Sequence, residues 1–98
     1  MHIFLDTANI DEITKGLATG VVTGVTTNPT IISRENKPFA KCIEDILTID
    51  RHLTILVEAV SVDTADMVEE SRKLSKISEN IIVKIPMTRQ GLAAVKIL

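Results

Sequence analysis

The chain has 98 residues, 45% hydrophobic and 24% charged, with a formal net charge of −2. That balance describes a globular polypeptide and excludes a disordered one. With no basic block, two Phe and neither Trp nor Tyr, nucleic acid is not an expected partner. No apolar run approaches membrane-spanning length, and Met1 leads directly into a strand-like run. Neither a membrane partner nor a signal peptide is therefore expected, and the expected compartment is the cytoplasm. Cys42 has no second cysteine to pair with and lies on the apolar stripe of a helix, so it reads as a buried thiol in a reducing environment. His2 and His52 are isolated, and no metal-ligand spacing occurs.

In chain order, Ile3-Phe4-Leu5-Asp6 is a short apolar strand ending in an acid. Asn9 with Glu12 three residues on approaches a capping box; Ile10, Ile13 and Leu17 follow at helical spacing, and Gly20 suits the stop. The next strand runs over 22–27 and ends before Asn28-Pro29, because proline biases the residue before it away from the helical region. Ile31-Ile32 suits a brief turn before a polar loop. Pro38 suits the first turn of a helix with Phe39, Cys42, Ile43, Ile46, Leu47 and Ile49 on its apolar side. A third strand spans 53–60, and Asp63 or Ser61 opens a helix with Met67, Val68, Leu74 and Ile77 as its buried positions. The fourth strand, 81–86, leads to Thr88 as the N-cap of a helix carrying Leu92, Val95 and Leu98. Strands alternating with helices and no hairpin signal predict right-handed βαβ units in a parallel sheet, ordered as in the sequence.

The organising stretch is Ile81-Ile82-Val83-Lys84-Ile85-Pro86-Met87-Thr88, in which Lys84 interrupts a β-branched run. Such runs belong to strands covered on both faces, where a charge is costly. Alternation places Phe4 and Asp6, Thr26 and Asn28, Leu56, Glu58 and Val60, and Ile82 and Lys84 on one face. The opposite sets, among them Val25 and Thr27, Ile55, Val57 and Ala59, and Ile81, Val83 and Ile85, suit packing under helices. Asp6, Asn28, Glu58 and Lys84 then mark successive strand ends, where parallel α/β proteins keep their chemistry. Wetter strand ends would account for polar residues there, but less well for a lysine and two carboxylates inside apolar runs. A closed barrel gathers four such ends around one point and a doubly wound sheet does not, so the set favours a barrel.

Free amine is scarce in an ordinary lysine at neutral pH; apolar neighbours increase it and ionised carboxylates decrease it, and the sequence does not decide between them. As free amine, Lys84 would add to a ketone or aldehyde to give an imine, whose protonated form is an electron sink for making or breaking the neighbouring carbon–carbon bond. That chemistry also requires an acid–base group and an ordered water, roles open to Asp6 and Glu58.

At these residues the chain resembles the transaldolase family, in its short branch that also contains fructose-6-phosphate aldolases. The motifs are Phe4-Leu5-Asp6-Thr7-Ala8, Gly24-Val25-Thr26-Thr27-Asn28-Pro29-Thr30, and Val83-Lys84-Ile85-Pro86-Met87-Thr88 followed by Gly91-Leu92-Ala93-Ala94. The resemblance implies a parallel (βα)8 TIM barrel, Schiff-base chemistry without metal or other cofactor, and a homo-oligomer. It implies Lys84 as the Schiff-base lysine and Asp6 as the acid–base residue, with Thr26 and Asn28 lining the substrate site and Asn28 at the dihydroxyacetone part. Glu58 stands where transaldolases carry a glutamate that helps hold the catalytic water and the resembling aldolase branch carries glutamine. This implies dihydroxyacetone transfer in the pentose phosphate pathway, among fructose 6-phosphate, sedoheptulose 7-phosphate, erythrose 4-phosphate and glyceraldehyde 3-phosphate, over simple cleavage of fructose 6-phosphate.

The family fold needs about eight strands and these residues supply about four, so residues 1–98 are expected to be the N-terminal half of one barrel domain, cut within its fourth helix. None of Arg34, Arg51, Arg72 or Arg89 matches the family's phosphate-binding arginine. Alone, the half-barrel is expected to be inactive and not to persist as a folded monomer: it either pairs through an uncovered apolar face with a second half or is part of a longer polypeptide.

Overall fold

A computed structural model describes residues 1–98. Strands β1 (Ile3–Asp6), β2 (Val22–Thr26), β3 (Thr54–Glu58) and β4 (Ile81–Lys84) alternate with helices α1 (Ile10–Ala18), α2 (Pro29–Ser33), α3 (Phe39–Ile49), α4 (Thr64–Ser75) and α5 (Arg89–Ile97). All pairings are parallel and the sheet order is β1-β2-β3-β4.

The βα turns are short because side chains at the helix starts accept the first free backbone amides. Asn9 accepts from Glu12 N, Asn28 from Ile31 N, Asp63 from Asp66 N and Thr88 from Gly91 N. Asn9 N is itself held by Thr7 Oγ1, so only half of a capping box forms there. Asp63 rather than Ser61 opens α4. Gly20, at φ +80°, ends the α1 turn in the left-handed region, and Pro38 sits at the N-cap of α3, one residue before the helix. The Ile31-Ile32 stretch forms α2, a helix slightly longer than one turn with Pro29 at its start.

Alternation along the strands separates a dry face from an open one. Val25, Thr27, Ile55, Val57, Ala59 and Ile81 are buried, and Val25, Ile55, Val57 and Ile81 share the core with Ile13 of α1, Ile43 and Ile46 of α3 and Leu74 of α4. On the other face Val60 is 60% exposed and Ile82 53% exposed, so no helix covers it. Helices on one face only make the chain a (βα)4 sheet, half the strand count of a (βα)8 barrel. Gly24 lies on the open face, where an added Cβ would come 2.7 Å from the Phe4 ring, so the aromatic ring occupies the space of the missing side chain.

Two apolar stripes differ from their sequence-based assignment. Ile77 is exposed because α4 ends at Ser75, before the stripe reaches it. In α5 the buried positions are Gly91 and Ala94, while Leu92, Val95 and Leu98 are exposed. Gly91 meets Pro86 O, where no side chain fits, and Ala94 packs against Met67 and Val68 of α4, so the smallest residues make the contacts.

The core predicts two opposite mutational effects. Ile55→Ala, at a fully buried central position, should lower unfolding free energy by about 2–5 kcal/mol. Ser71 is buried in α4 and its hydroxyl has no hydrogen-bond partner, so Ser71→Ala should be neutral or add about 1 kcal/mol. Denaturant midpoints at unchanged slope measure both, and a destabilised Ser71→Ala would contradict the packing described.

Candidate active site at the carboxyl ends of the strands

Strand register determines which side chains share a row. Asp6, Thr26, Leu56 and Ile82 are successive partners across the sheet, and Glu58 and Lys84 are partners two residues nearer the carboxyl end. All six alternate with the helix-packed residues and therefore project from the open face. Ala59 N donates to Lys84 O at 3.0 Å, which extends the β3–β4 ladder past both side chains.

Thr26 Oγ1 donates to Asp6 Oδ1 at 2.7 Å, a short hydrogen bond to a carboxylate that ties the ends of β1 and β2 together. Asn28 follows Thr26 by two residues and caps α2, with Oδ1 accepting from Ile31 N at 2.9 Å. Its carbonyl is thus committed to the helix, and its amide N–H groups remain for a ligand. Lys84 and Glu58 are half-buried, and Asp6 is exposed. The ion pairs of the chain join Lys37 and Lys41 to Asp45, Lys41 to Glu44 and Lys73 to Glu69, all outside this site. No carboxylate stands within ion-pair distance of the Lys84 ammonium. Asp6 and Lys84 lie on opposite edge strands, three interstrand steps or about 14 Å apart across the sheet and a further two residues apart along the strands.

A cavity of about 740 Å³ opens beside this row, with Asn28, Glu58, Val60, Ser61, Arg89 and Gln90 among its walls. Lys84, Asp6 and Thr26 stand on the open sheet outside those walls. The first turns of α4 and α5 are linked beside the cavity: Thr64 N donates to Gln90 Oε1 at 3.1 Å and Thr64 Oγ1 to Gln90 O at 2.9 Å. A smaller cavity of about 320 Å³ lies on the helix side of the same strand ends, between Ile32, Phe39, Glu70 and Leu74, and also touches Asn28 and Glu58. No three His, Cys, Asp or Glu side chains gather as a metal site. No helix is long and apolar enough to cross a membrane.

Sequence reasoning missed Glu70 and Gln90. Glu70 Oε1 accepts from Val60 N at 3.0 Å, and Oε2 accepts from Val60 N at 3.2 Å and Ser61 N at 2.9 Å. Burial pushes its carboxyl up, but the Val60 amide and the Ser61 hydroxyl and amide outweigh that and hold it below the ordinary glutamate value. A signal was present: Glu70 lies three residues after Met67 and four before Leu74, on the buried stripe of α4. An acid at such a position needs a partner. Gln90 gave no comparable signal.

Parallel strands in sequence order, helices on one face and polar side chains at the carboxyl ends define an α/β unit of the TIM-barrel class. The chain belongs to the transaldolase/fructose-6-phosphate aldolase family, whose model matches residues 3–98. It is 50% identical over 99 residues to a probable transaldolase of Brachyspira hyodysenteriae, with 100% of this chain and 46% of that protein covered. It is 52% identical to a probable transaldolase of Pelotomaculum thermopropionicum and 53% to one of Dictyoglomus turgidum, in each case over 98 residues and 45% of the relative. The chain thus spans a little under half the length of these curated relatives.

The backbone after Lys84 carries its own test. A Cβ at Gly91 would lie 1.9 Å from Pro86 O, so α5 rests directly on the chain that leaves β4. Gly91→Ala must therefore move α5 or the end of β4, and should cost about 1–3 kcal/mol of stability by overpacking. An unchanged denaturant midpoint would show that this contact is looser than described.

Proposed function

We propose that the polypeptide carrying this chain is a transaldolase that moves a dihydroxyacetone unit between sugar phosphates through a Schiff base on Lys84, with residues 1–98 forming the N-terminal half of its barrel. The observation that carries this reading is the placement of Glu58 beside Lys84 in one register row of the open face, with the Asp6–Thr26 hydrogen bond in the row below. Family membership and the names of the relatives support it at the level of the aldolase-type reaction.

Each residue has a distinct task. The free amine of Lys84 adds to the ketone carbonyl of fructose 6-phosphate or sedoheptulose 7-phosphate, and loss of water leaves an iminium. Asp6 takes the proton from the β-hydroxyl as the carbon–carbon bond breaks, and the bond electrons pass into the iminium. An aldehyde phosphate leaves, and a three-carbon enamine stays on Lys84. The enamine attacks the aldehyde of erythrose 4-phosphate or glyceraldehyde 3-phosphate, Asp6 returns the proton, and water held by Glu58 hydrolyses the new imine. Thr26 orients Asp6, and the Asn28 amide binds the dihydroxyacetone hydroxyls. The reaction needs no cofactor, and we place it in a cytoplasmic homo-oligomer serving the pentose phosphate pathway.

Glu58 separates this reading from fructose-6-phosphate aldolase, which resembles the chain at its other motifs but has glutamine at that position. A reading of another class, an inactive half-barrel that binds sugar phosphates or only a second half, is favoured by the uncovered Val60 and Ile82.

Borohydride reduction of the complete polypeptide with fructose 6-phosphate should fix a three-carbon adduct on Lys84, as read by peptide mass, and Lys84→Ala should abolish it. An adduct on another lysine would overturn the assignment. Glu58→Gln should slow transfer to erythrose 4-phosphate by about 100-fold, within the usual range for loss of a general acid–base group. Transfer at the parent rate in Glu58→Gln would remove its role at the water.

A further inference from the structure

The end of β3 leaves two backbone amides that the sheet does not satisfy. On the β4 side the ladder runs from Ile55 N to Asn80 O and from Ala59 N to Lys84 O. The next amide on that side, Ser61 N, falls opposite Pro86, where the chain has left the sheet and Pro86 O accepts from Thr88 N. On the β2 side, Val60 N has no strand to meet, because β2 ends at Thr26 and α2 begins at Pro29. Amides without a partner at a half-buried strand end are costly, and such a segment opens readily.

One side chain supplies both missing acceptors. Glu70 reaches from the second turn of α4, its oxygens accepting Val60 N at 3.0 and 3.2 Å and Ser61 N at 2.9 Å. Val60 and Ser61 line the 740 Å³ cavity with Glu58, and Glu70 and Glu58 both line the 320 Å³ cavity behind it. The charged groups around Glu70 are Asp66, Glu69 and Lys73 on its own helix and Glu58 across that cavity. Lys73 is engaged by Glu69 at 3.0 Å, which leaves the backbone amides as the partners of Glu70.

We propose that Glu70 is a positioning residue: by clamping the Val60 and Ser61 amides, it fixes the backbone two residues beyond Glu58 and so keeps the Glu58 carboxylate at the mouth beside Lys84. The clamp itself does not depend on the reaction assigned above. Its catalytic consequence rests on that assignment.

The experiment uses the complete polypeptide and reads order rather than turnover first. In Glu70→Gln, hydrogen exchange at Val60 and Ser61 should accelerate by about tenfold or more, since charge-assisted bonds are replaced by at most one neutral acceptor. NMR relaxation of the Glu58 side chain should show increased mobility, a change that a remote structural role would not produce. A Glu79→Gln control, at an exposed glutamate outside the ion pairs of the chain, should alter neither readout. Under the transaldolase assignment, kcat in Glu70→Gln should fall while KM for fructose 6-phosphate holds. Unchanged exchange at the two amides overturns the clamp, and faster exchange with an unmoved Glu58 reduces Glu70 to a loop anchor and overturns the proposal. A parent without transfer activity defeats the function assigned above, and exchange and relaxation still decide this proposal. Should Glu70→Gln not fold, the unaltered protein suffices: the Val60 and Ser61 amide signals should shift together as one carboxyl titrates below the ordinary glutamate value. Amides that ignore that titration overturn the clamp.

Discussion

Glu58 and Lys84 stand side by side because Ile55, Leu56 and Val57 pair with Ile81, Ile82 and Val83 beneath them, in unbroken parallel register. A slip of one residue would exchange the faces: Val57 and Val83 would enter the open side, and the carboxylate and the ammonium would be driven under the helices. Burying those two charges without compensation costs far more than any local propensity gains. The same alternation that dries Ile55, Val57 and Ala59 therefore places Glu58 and Lys84 on the open face. Core and site are two readings of one register.

Where the strands stop matters as much as how they pair. Strand ends and helix starts both leave backbone amides without a partner, and polar side chains in the βα turns here accept from them. Asn28 does so for α2, Asp63 for α4, Thr88 for α5, and Glu70 for the stretch after Glu58. Polar residues consequently gather at the carboxyl ends for structural reasons before any ligand is considered. Asn28 shows the overlap, since its carbonyl serves the helix while the residue also lines the cavity. Thr26 differs: its hydroxyl donates to the Asp6 carboxylate and caps nothing, as expected of a side chain placed to orient another.

Legibility in the sequence followed the range of the interactions. Strand order, strand positions and the Asn9 and Thr88 N-caps could be read because alternation and capping are local, two to four residues in reach; Asp63 was left open against Ser61, and Asn28 read only as a strand end. The apolar side of α3 was legible for the same reason. The packing face of α5 was not, since Leu92 and Val95 look more hydrophobic than Gly91 and Ala94, and only the approach of Pro86 O to Gly91 excludes the larger residues. Ile77 misled because its spacing continues the α4 stripe past the residue at which the helix stops. Glu70 was hidden in another way: its partners are backbone amides ten and nine residues upstream, and amides leave no trace in composition.

Asp6 and Lys84 pose a different geometric problem from the other pairs. Glu58 with Lys84, and Asp6 with Thr26, are neighbours through adjacent strands, so a four-stranded sheet is enough to create them. Asp6 and Lys84 are separated by the whole sheet, and no hydrogen-bond register can shorten that path. Only curvature brings opposite edges toward each other across the open face, and it is greatest when the sheet closes on itself. Closure would also supply partners for the free edges of β1 and β4 and cover Val60 and Ile82, which flatter sheets leave wet. The apolar exposure and the separation of Asp6 from Lys84 thus have the same physical remedy. The distance between Asp6 on the first strand and Lys84 on the fourth would then measure how far such a sheet has closed.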